Sequence, residues 1–130
     1  MSEDFLKKSN KLAVVGASRE KEKFGYKIYL TLKKQGFVVY PVNPKADKID
    51  KDKCYPSLSS LPQKPDVVIT VVPPKITEQV VIEAAKLGID KIWMQPGSES
   101  EKAIALCKEK GIKFIAYTCF IVDGLKINFF

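Results

Sequence analysis

Histidine is absent from all 130 residues of the chain. The commonest general base near neutral pH is therefore missing, and with it every Ser-His or Cys-His nucleophile pair, which sets hydrolase and phosphohistidine chemistry aside. Cysteine is scarce. Cys54, Cys107 and Cys119 are odd in number, far apart and without a Cys-x-x-Cys pair, a pattern of reduced thiols rather than of disulfides or zinc, so no metal is expected. Long apolar stretches are missing as well. No segment approaches the roughly eighteen uninterrupted apolar residues of a membrane span, and Met1-Ser2-Glu3-Asp4 lacks the basic and apolar regions of a signal peptide. A cytoplasmic protein with no membrane partner is expected.

What is present fits one compact unit. With 130 residues and 45% apolar content, the chain can bury one core but is short for two domains, so residues 1–130 are read as a single domain. The net charge is +7, from 22 Lys and Arg against 15 Asp and Glu, and Arg19 is the sole arginine. Such a balance admits an anionic ligand or a nucleic acid. Most of the lysines stand singly on helix faces and in loops, however, which describes a solvated surface better than a basic block.

Apolar runs alternate with helical patterns along the whole chain. Lys11 to Gly16 is a nearly continuous apolar run closed by glycine, as in a strand buried on both faces. Gly25 to Gln35 reads as a helix, with Gly36 as its stop. A second strand runs from Phe37 to Val42 and ends at the turn signal Asn43-Pro44. The proline-rich segment from Lys45 to Pro65 is expected to be irregular, with room for a short strand or a single turn. Asp66 to Val72 is the longest β-branched run, and Pro73-Pro74 opens a helix whose buried stripe is expected at Ile76, Val80, Ala84 and Leu87. A strand at Lys91 to Gln95 follows, then a capping-box spacing at Ser98-x-x-Glu101 ahead of a helix to Lys110. A last strand spans Ile112 to Ala116, and the apolar tail from Tyr117 to Phe130 is expected to add an edge strand or pack beneath the domain.

Strands and helices at this spacing pair in parallel through right-handed crossovers, giving an α/β, Rossmann-like doubly wound, mainly parallel sheet. Such sheets bind ligands beyond the carboxyl ends of their strands. The residues found there are Gly16-Ala17-Ser18-Arg19, Asn43-Pro44-Lys45, Pro73-Pro74-Lys75 and Gln95-Pro96-Gly97. Small residues let backbone amides approach phosphates, and cations neutralise them. Singly, Gly16 is as well explained by a strand-ending turn, Ser18 by a cap, and Arg19 and Lys45 by solvated charge; their coincidence on one rim favours a site. The strict Gly-x-Gly-x-x-Gly fingerprint is not met, since Ser18 stands at its second position and the next glycine is Gly25. Where an NAD-binding domain carries an acid for the ribose hydroxyls, this chain has Asn43-Pro44-Lys45. A lysine there disfavours NAD and leaves NADP or coenzyme A open.

On these residues the chain resembles the stand-alone CoA-binding domain proteins, which are related to the N-terminal domain of the succinyl-CoA synthetase α subunit. The matching motifs are Val14-Val15-Gly16-Ala17-Ser18, Pro41-Val42-Asn43-Pro44-Lys45, Cys54-Tyr55-Pro56-Ser57-Leu58, Val72-Pro73-Pro74, Trp93-Met94-Gln95-Pro96-Gly97 and Cys119, in order over roughly residues 10 to 122. The resemblance implies that coenzyme A is the cofactor, with Gly16 to Arg19 and Lys45 near its phosphates and Val72-Pro73 against its adenosine or pantetheine. The candidate binding set is Gly16, Ala17, Ser18, Arg19, Lys23, Val42, Asn43, Pro44, Lys45, Val72, Pro73, Pro74, Gln95 and Gly97, and Cys119 is the candidate partner for the CoA thiol. In the ligases a second domain bearing a phosphorylated histidine follows; this sequence carries neither, so ligase activity is not expected and no catalytic residue is assigned.

The reading favoured here is a non-catalytic CoA or acyl-CoA binder acting as carrier, sensor or subunit. An NADP-dependent oxidoreductase ranks second, because Tyr26, Tyr29 and Tyr117 come without a placed acid-base pair. A nucleic-acid binder ranks last for want of a basic helix with interleaved aromatics. The apolar residues 120–130 make a homodimer a candidate arrangement.

Overall fold

A strand that is apolar on both faces needs cover on both, and helices alternating with strands supply it. The computed structural model describes residues 2–130. In chain order these form α1 (Glu3–Leu6), β1 (Lys11–Val15), α2 (Phe24–Lys34), β2 (Val38–Val42), β3 (Lys48–Ile49), β4 (Asp52–Lys53), a 3-10 turn (Leu58–Ser60), β5 (Val67–Thr70), α3 (Pro74–Lys86), β6 (Lys91–Met94), α4 (Glu101–Lys110), β7 (Lys113–Ile115) and a π-helical turn (Phe120–Leu125). The main sheet has the order β2-β1-β5-β6-β7, and every pairing in it is parallel.

Alternate residues of each central strand serve opposite faces. Leu12 and Val14 of β1, Val67 and Ile69 of β5 and Trp93 of β6 pack with Ile28, Tyr29 and Leu32 of α2, with Phe5 of α1 and with Phe120 and Ile121. Ala13, Val15, Val68, Ile92 and Met94 pack on the other face with Val80, Val81 and Ala84 of α3 and Ala103 and Cys107 of α4. The helix after β1 and the helix after β5 therefore lie on opposite faces. The chain winds outward in both directions from the paired strands β1 and β5.

The elements match the expected order, with four local differences. The segment after β2 folds into the β3–β4 hairpin, and Tyr55 then pairs with the outer edge of β2, its N–H donating to the Pro41 carbonyl at 2.9 Å. Pro41 lacks an N–H on that edge, where a missing ladder donor is tolerated. In α3 the buried residues are Thr77, Val80, Val81 and Ala84, whereas Ile76 is 39% exposed, because the first turn overhangs the rim of the sheet and not its face. The cap of α4 is Ser100, whose Oγ accepts the Ala103 N–H at 3.0 Å; Ser98 is buried and bonded to Thr70 and to the Gln95 carbonyl. The tail adds no edge strand. It coils into the π-helical turn and buries Phe120 and Ile121, with the Phe120 ring 4.9 Å from Trp93, so that of the residues expected to form a dimer face Val122 and Phe130 are left well exposed.

Two features escaped the sequence reading altogether. The α1 helix buries Phe5 edge-on against Trp93. The hairpin is tied to α2 by Tyr26 Oη donating to Asp50 at 2.8 Å and by Tyr29 Oη and Lys33 Nζ, both donating to Asp52 Oδ2. Cys54, Cys107 and Cys119 are free and buried. Among the described residues no helix is long and apolar enough to cross a membrane.

Candidate functional site

The loops after β1, β2 and β5 converge above the carboxyl ends of β1 and β5, where the chain reverses its direction of winding, and line a cleft of about 810 Å³. Such a place is the topological switch point of a doubly wound sheet, where ligands bind. The first loop can lie this close to its neighbours because of two glycines. Gly16 has φ +100°, a conformation that L side chains rarely adopt, and a Cβ there would stand 2.2 Å from the Val71 carbonyl oxygen. At Gly25 a Cβ would stand 2.0 Å from the carbonyl oxygen of Gly16, so the start of α2 rests directly on the turn that ends β1. The Gly16 N–H donates to the Val42 carbonyl at 2.9 Å, and the Val71 N–H to the Val15 carbonyl at 2.8 Å, which joins the three loops.

Asn43 holds the arrangement from the side. Its Nδ2 donates to the Ala17 carbonyl and its Oδ1 accepts the Lys45 N–H, both at 2.8 Å, while its backbone N–H donates to Tyr55 at 2.9 Å. The side chain is thus committed to shaping the loops. Ser18 acts locally too, its Oγ accepting the Glu20 N–H at 3.0 Å.

The electrostatics of the cleft favour an anion. Neither α2 nor α3 has a side-chain cap or an acidic residue in its first turn, so the positive ends of both helices at this rim are left unneutralised. Arg19, Lys23 and Lys45 add side-chain charge to the lining. Glu20 is the acidic lining residue, 3.9 Å from Lys23, and both side chains are about 60% exposed. An ion pair so exposed contributes little and is easily exchanged for a better anion. Arg19 and Lys45 have no carboxylate partner among the described residues.

Of the candidate set, Gly16, Ser18, Arg19, Lys23, Val42, Asn43, Pro44, Lys45, Val72 and Pro73 line the cleft together. Others lie elsewhere. Ala17 is fully buried beneath the loop and offers only its carbonyl, to Asn43. Pro74 and Lys75 start α3 outside the lining. Gln95 is fully buried, its Nε2 donating to Cys119 Sγ at 3.3 Å and its Oε1 accepting the Phe120 N–H at 2.7 Å. Gly97 is exposed in the loop after β6, its N–H donating to Glu99 at 3.0 Å. Cys119 is 8% exposed beside Gln95, outside the lining.

The lining also includes Phe24, Ala46 and Val71, none of them expected at the site, and Ile76, which was expected in the buried stripe of α3. Phe24 directly follows the charged loop at the start of a helix, a position that turns toward the rim. Tyr26 and Tyr29, the phenols an oxidoreductase would need, lie outside the cleft on hairpin carboxylates. Hydrogen bonding to Asp50 for Tyr26, and burial followed by the Asp52 bond for Tyr29, push both phenols above their ordinary range, so they hold their protons.

Known proteins resemble this chain in sequence and fold. Residues 10–124 match the model of the CoA binding domain family. An ADP-forming acetate–CoA ligase II of Archaeoglobus fulgidus is 42% identical over 105 residues, which cover 79% of this chain and 15% of that protein. The α subunit of an ADP-forming acetate–CoA ligase II of Pyrococcus furiosus is 31% identical over 136 residues, covering 96% of this chain and 30% of the subunit. The chain thus spans less than a third of the length of these two relatives. Among solved structures, a conserved hypothetical protein from Pyrococcus furiosus superposes with a TM-score of 0.82 at 42% identity, covering 85% of this chain and 96% of that one. With the family model spanning both the glycine turn at Gly16 and the rim at Lys45, the chain belongs to the CoA binding domain family.

Proposed function

We propose that this chain binds coenzyme A or an acyl-CoA in the cleft above the carboxyl ends of β1 and β5, as a non-catalytic carrier, sensor or subunit. The observation that carries the reading is the convergence at one switch point of two uncapped helix N-termini with Arg19, Lys23 and Lys45, where the end of β2 offers no acid to a ribose. Coenzyme A brings on the order of three to four negative charges, counting each phosphate monoester at about −1.5 to −2, which suits that convergence. The acetate–CoA ligases among the relatives support the choice of ligand. Their whole activity is not carried over, since this chain corresponds to a small part of each and has no histidine.

Calorimetric titration of CoA, dephospho-CoA, NADP⁺ and NAD⁺ into the purified protein tests the proposal. CoA is expected to bind, dephospho-CoA more weakly, and NAD⁺ not at all. Binding of NADP⁺ with indifference to CoA overturns the reading in favour of a dinucleotide.

A further inference from the structure

The cleft has an apolar lip that phosphate chemistry leaves unused. Phe24, the first residue of α2, lines the cleft at 43% exposure, and Ile76, in the first turn of α3, lines it at 39%. Because α2 and α3 cover opposite faces of the sheet, these side chains stand on opposite walls of one opening. The other exposed large apolar residues, Val38, Ile82, Tyr117, Val122 and Phe130, lie outside it. Phe24 is also braced: its ring packs on that of Phe129, with centroids 5.1 Å apart and planes at 55°.

Resting on the reading of the cleft as a CoA site, we infer that Phe24 and Ile76 clamp the purine base of the bound nucleotide. A base is flat and has a π face, so it can bury an aromatic ring on one side and an aliphatic side chain on the other. Phe24 directly follows Lys23 in the chain, so an aromatic ring and a cation stand next to each other on the same wall of the cleft. A polyphosphate without a base leaves both apolar side chains in water. The clamp therefore provides discrimination between nucleotides and simple anions that charge alone does not supply.

Calorimetry on the wild type and on Phe24→Ala, Phe24→Trp and Ile76→Ala, with CoA, adenosine 3′,5′-bisphosphate, pantetheine and pyrophosphate as ligands, tests the clamp. Phe24→Ala is expected to weaken CoA and the bisphosphate roughly tenfold, the effect of losing one base–aromatic stack, with pyrophosphate unchanged and Phe24→Trp retaining affinity. Ile76→Ala, on the opposite wall, is expected to weaken the same two ligands by a smaller factor and serves if Phe24→Ala folds poorly. Wild-type affinity of both alanine variants for the bisphosphate overturns the clamp and leaves the CoA reading intact. So does a loss confined to pantetheine, or an equal loss for pyrophosphate. A wild type that binds the bisphosphate but not CoA, with the loss on Phe24→Ala, overturns the CoA reading and supports the clamp. A wild type that binds neither overturns both.

Discussion

Lys45 owes its place to Asn43, whose Oδ1 takes the Lys45 N–H at 2.8 Å while the intervening Pro44 stiffens the turn. The ammonium is thereby presented at the cleft. If it meets the 3′-phosphate of CoA, Lys45→Glu weakens CoA far more than dephospho-CoA in the same titration; equal losses assign it to the pyrophosphate. Gly25 tests the backbone of the site. Alanine in a helix is ordinarily worth about 1 kcal/mol over glycine, but here its Cβ would press on the Gly16 carbonyl at 2.0 Å. Gly25→Ala is accordingly expected to lower the melting temperature and to weaken CoA, a reversal of the usual sign that a thermal melt and one titration check. Turn chemistry of this kind is local, which is why Gly16 and Asn43-Pro44-Lys45 could be read from sequence. Phe24 carries no such signal, and the pattern assigns Ile76 to the buried stripe of α3 although it lines the cleft. A helical stripe records which residues face the sheet, and both residues sit in first turns that overhang its rim. Gln95 and Gly97 follow β6, on the far side of β5 from β1, so they share the rim but not the cleft.

At the scale of elements, the β3–β4 hairpin is held to α2 by carboxylates. Hydrogen bonds from Lys33 and then Tyr29 hold the Asp52 carboxyl below its ordinary range. A depressed carboxylate adds stability at pH values above its unfolded value of about 3.9, and that stability is lost as the pH falls through the folded value. Asp52→Asn is therefore expected to cost about 1 kcal/mol at pH 7, after allowance for partial exposure, and progressively less as the pH falls below the ordinary carboxylate value and through the lowered folded one; urea midpoints measured across that acidic range check it. These ties join residues 19 and 23 apart in sequence, beyond the reach of any periodicity. The cap of α4 illustrates a different limit. Ser98 and Ser100 both precede the helix at plausible spacing, and what separates them is the Thr70 hydroxyl, which draws Ser98 inward. The tail is legible only as two alternatives, an edge strand or packing against the domain; it takes the second, its Phe120 packing on Trp93 and Phe37 from across the fold, and no local pattern chooses between them. Phe120→Ala is expected to cost about 3–5 kcal/mol in chemical denaturation, as for a fully buried aromatic.

On the scale of the whole molecule, both cores share one sheet, since adjacent residues of β1 and β5 serve opposite faces. Neither core can be lost while the other persists. Thermal unfolding followed by Trp93 fluorescence, which reports on the α2 face, and by far-ultraviolet circular dichroism, which reports on the entire chain, is expected to give coincident curves; separate midpoints would show the faces melting independently. This architecture was the most legible part of the sequence, because strands buried on both faces and helices closed by glycine repeat along its whole length. The position of the cleft follows from the strand order alone. It opens where α2 and α3 depart to opposite faces, and apart from the close approach at Gly16 and Gly25 it depends on no particular side chain. Substitutions along its walls can change what is retained there, or how firmly, without closing the space. Its occupant is thus open to revision by point mutation, whereas its existence could be revised only by rewiring the chain.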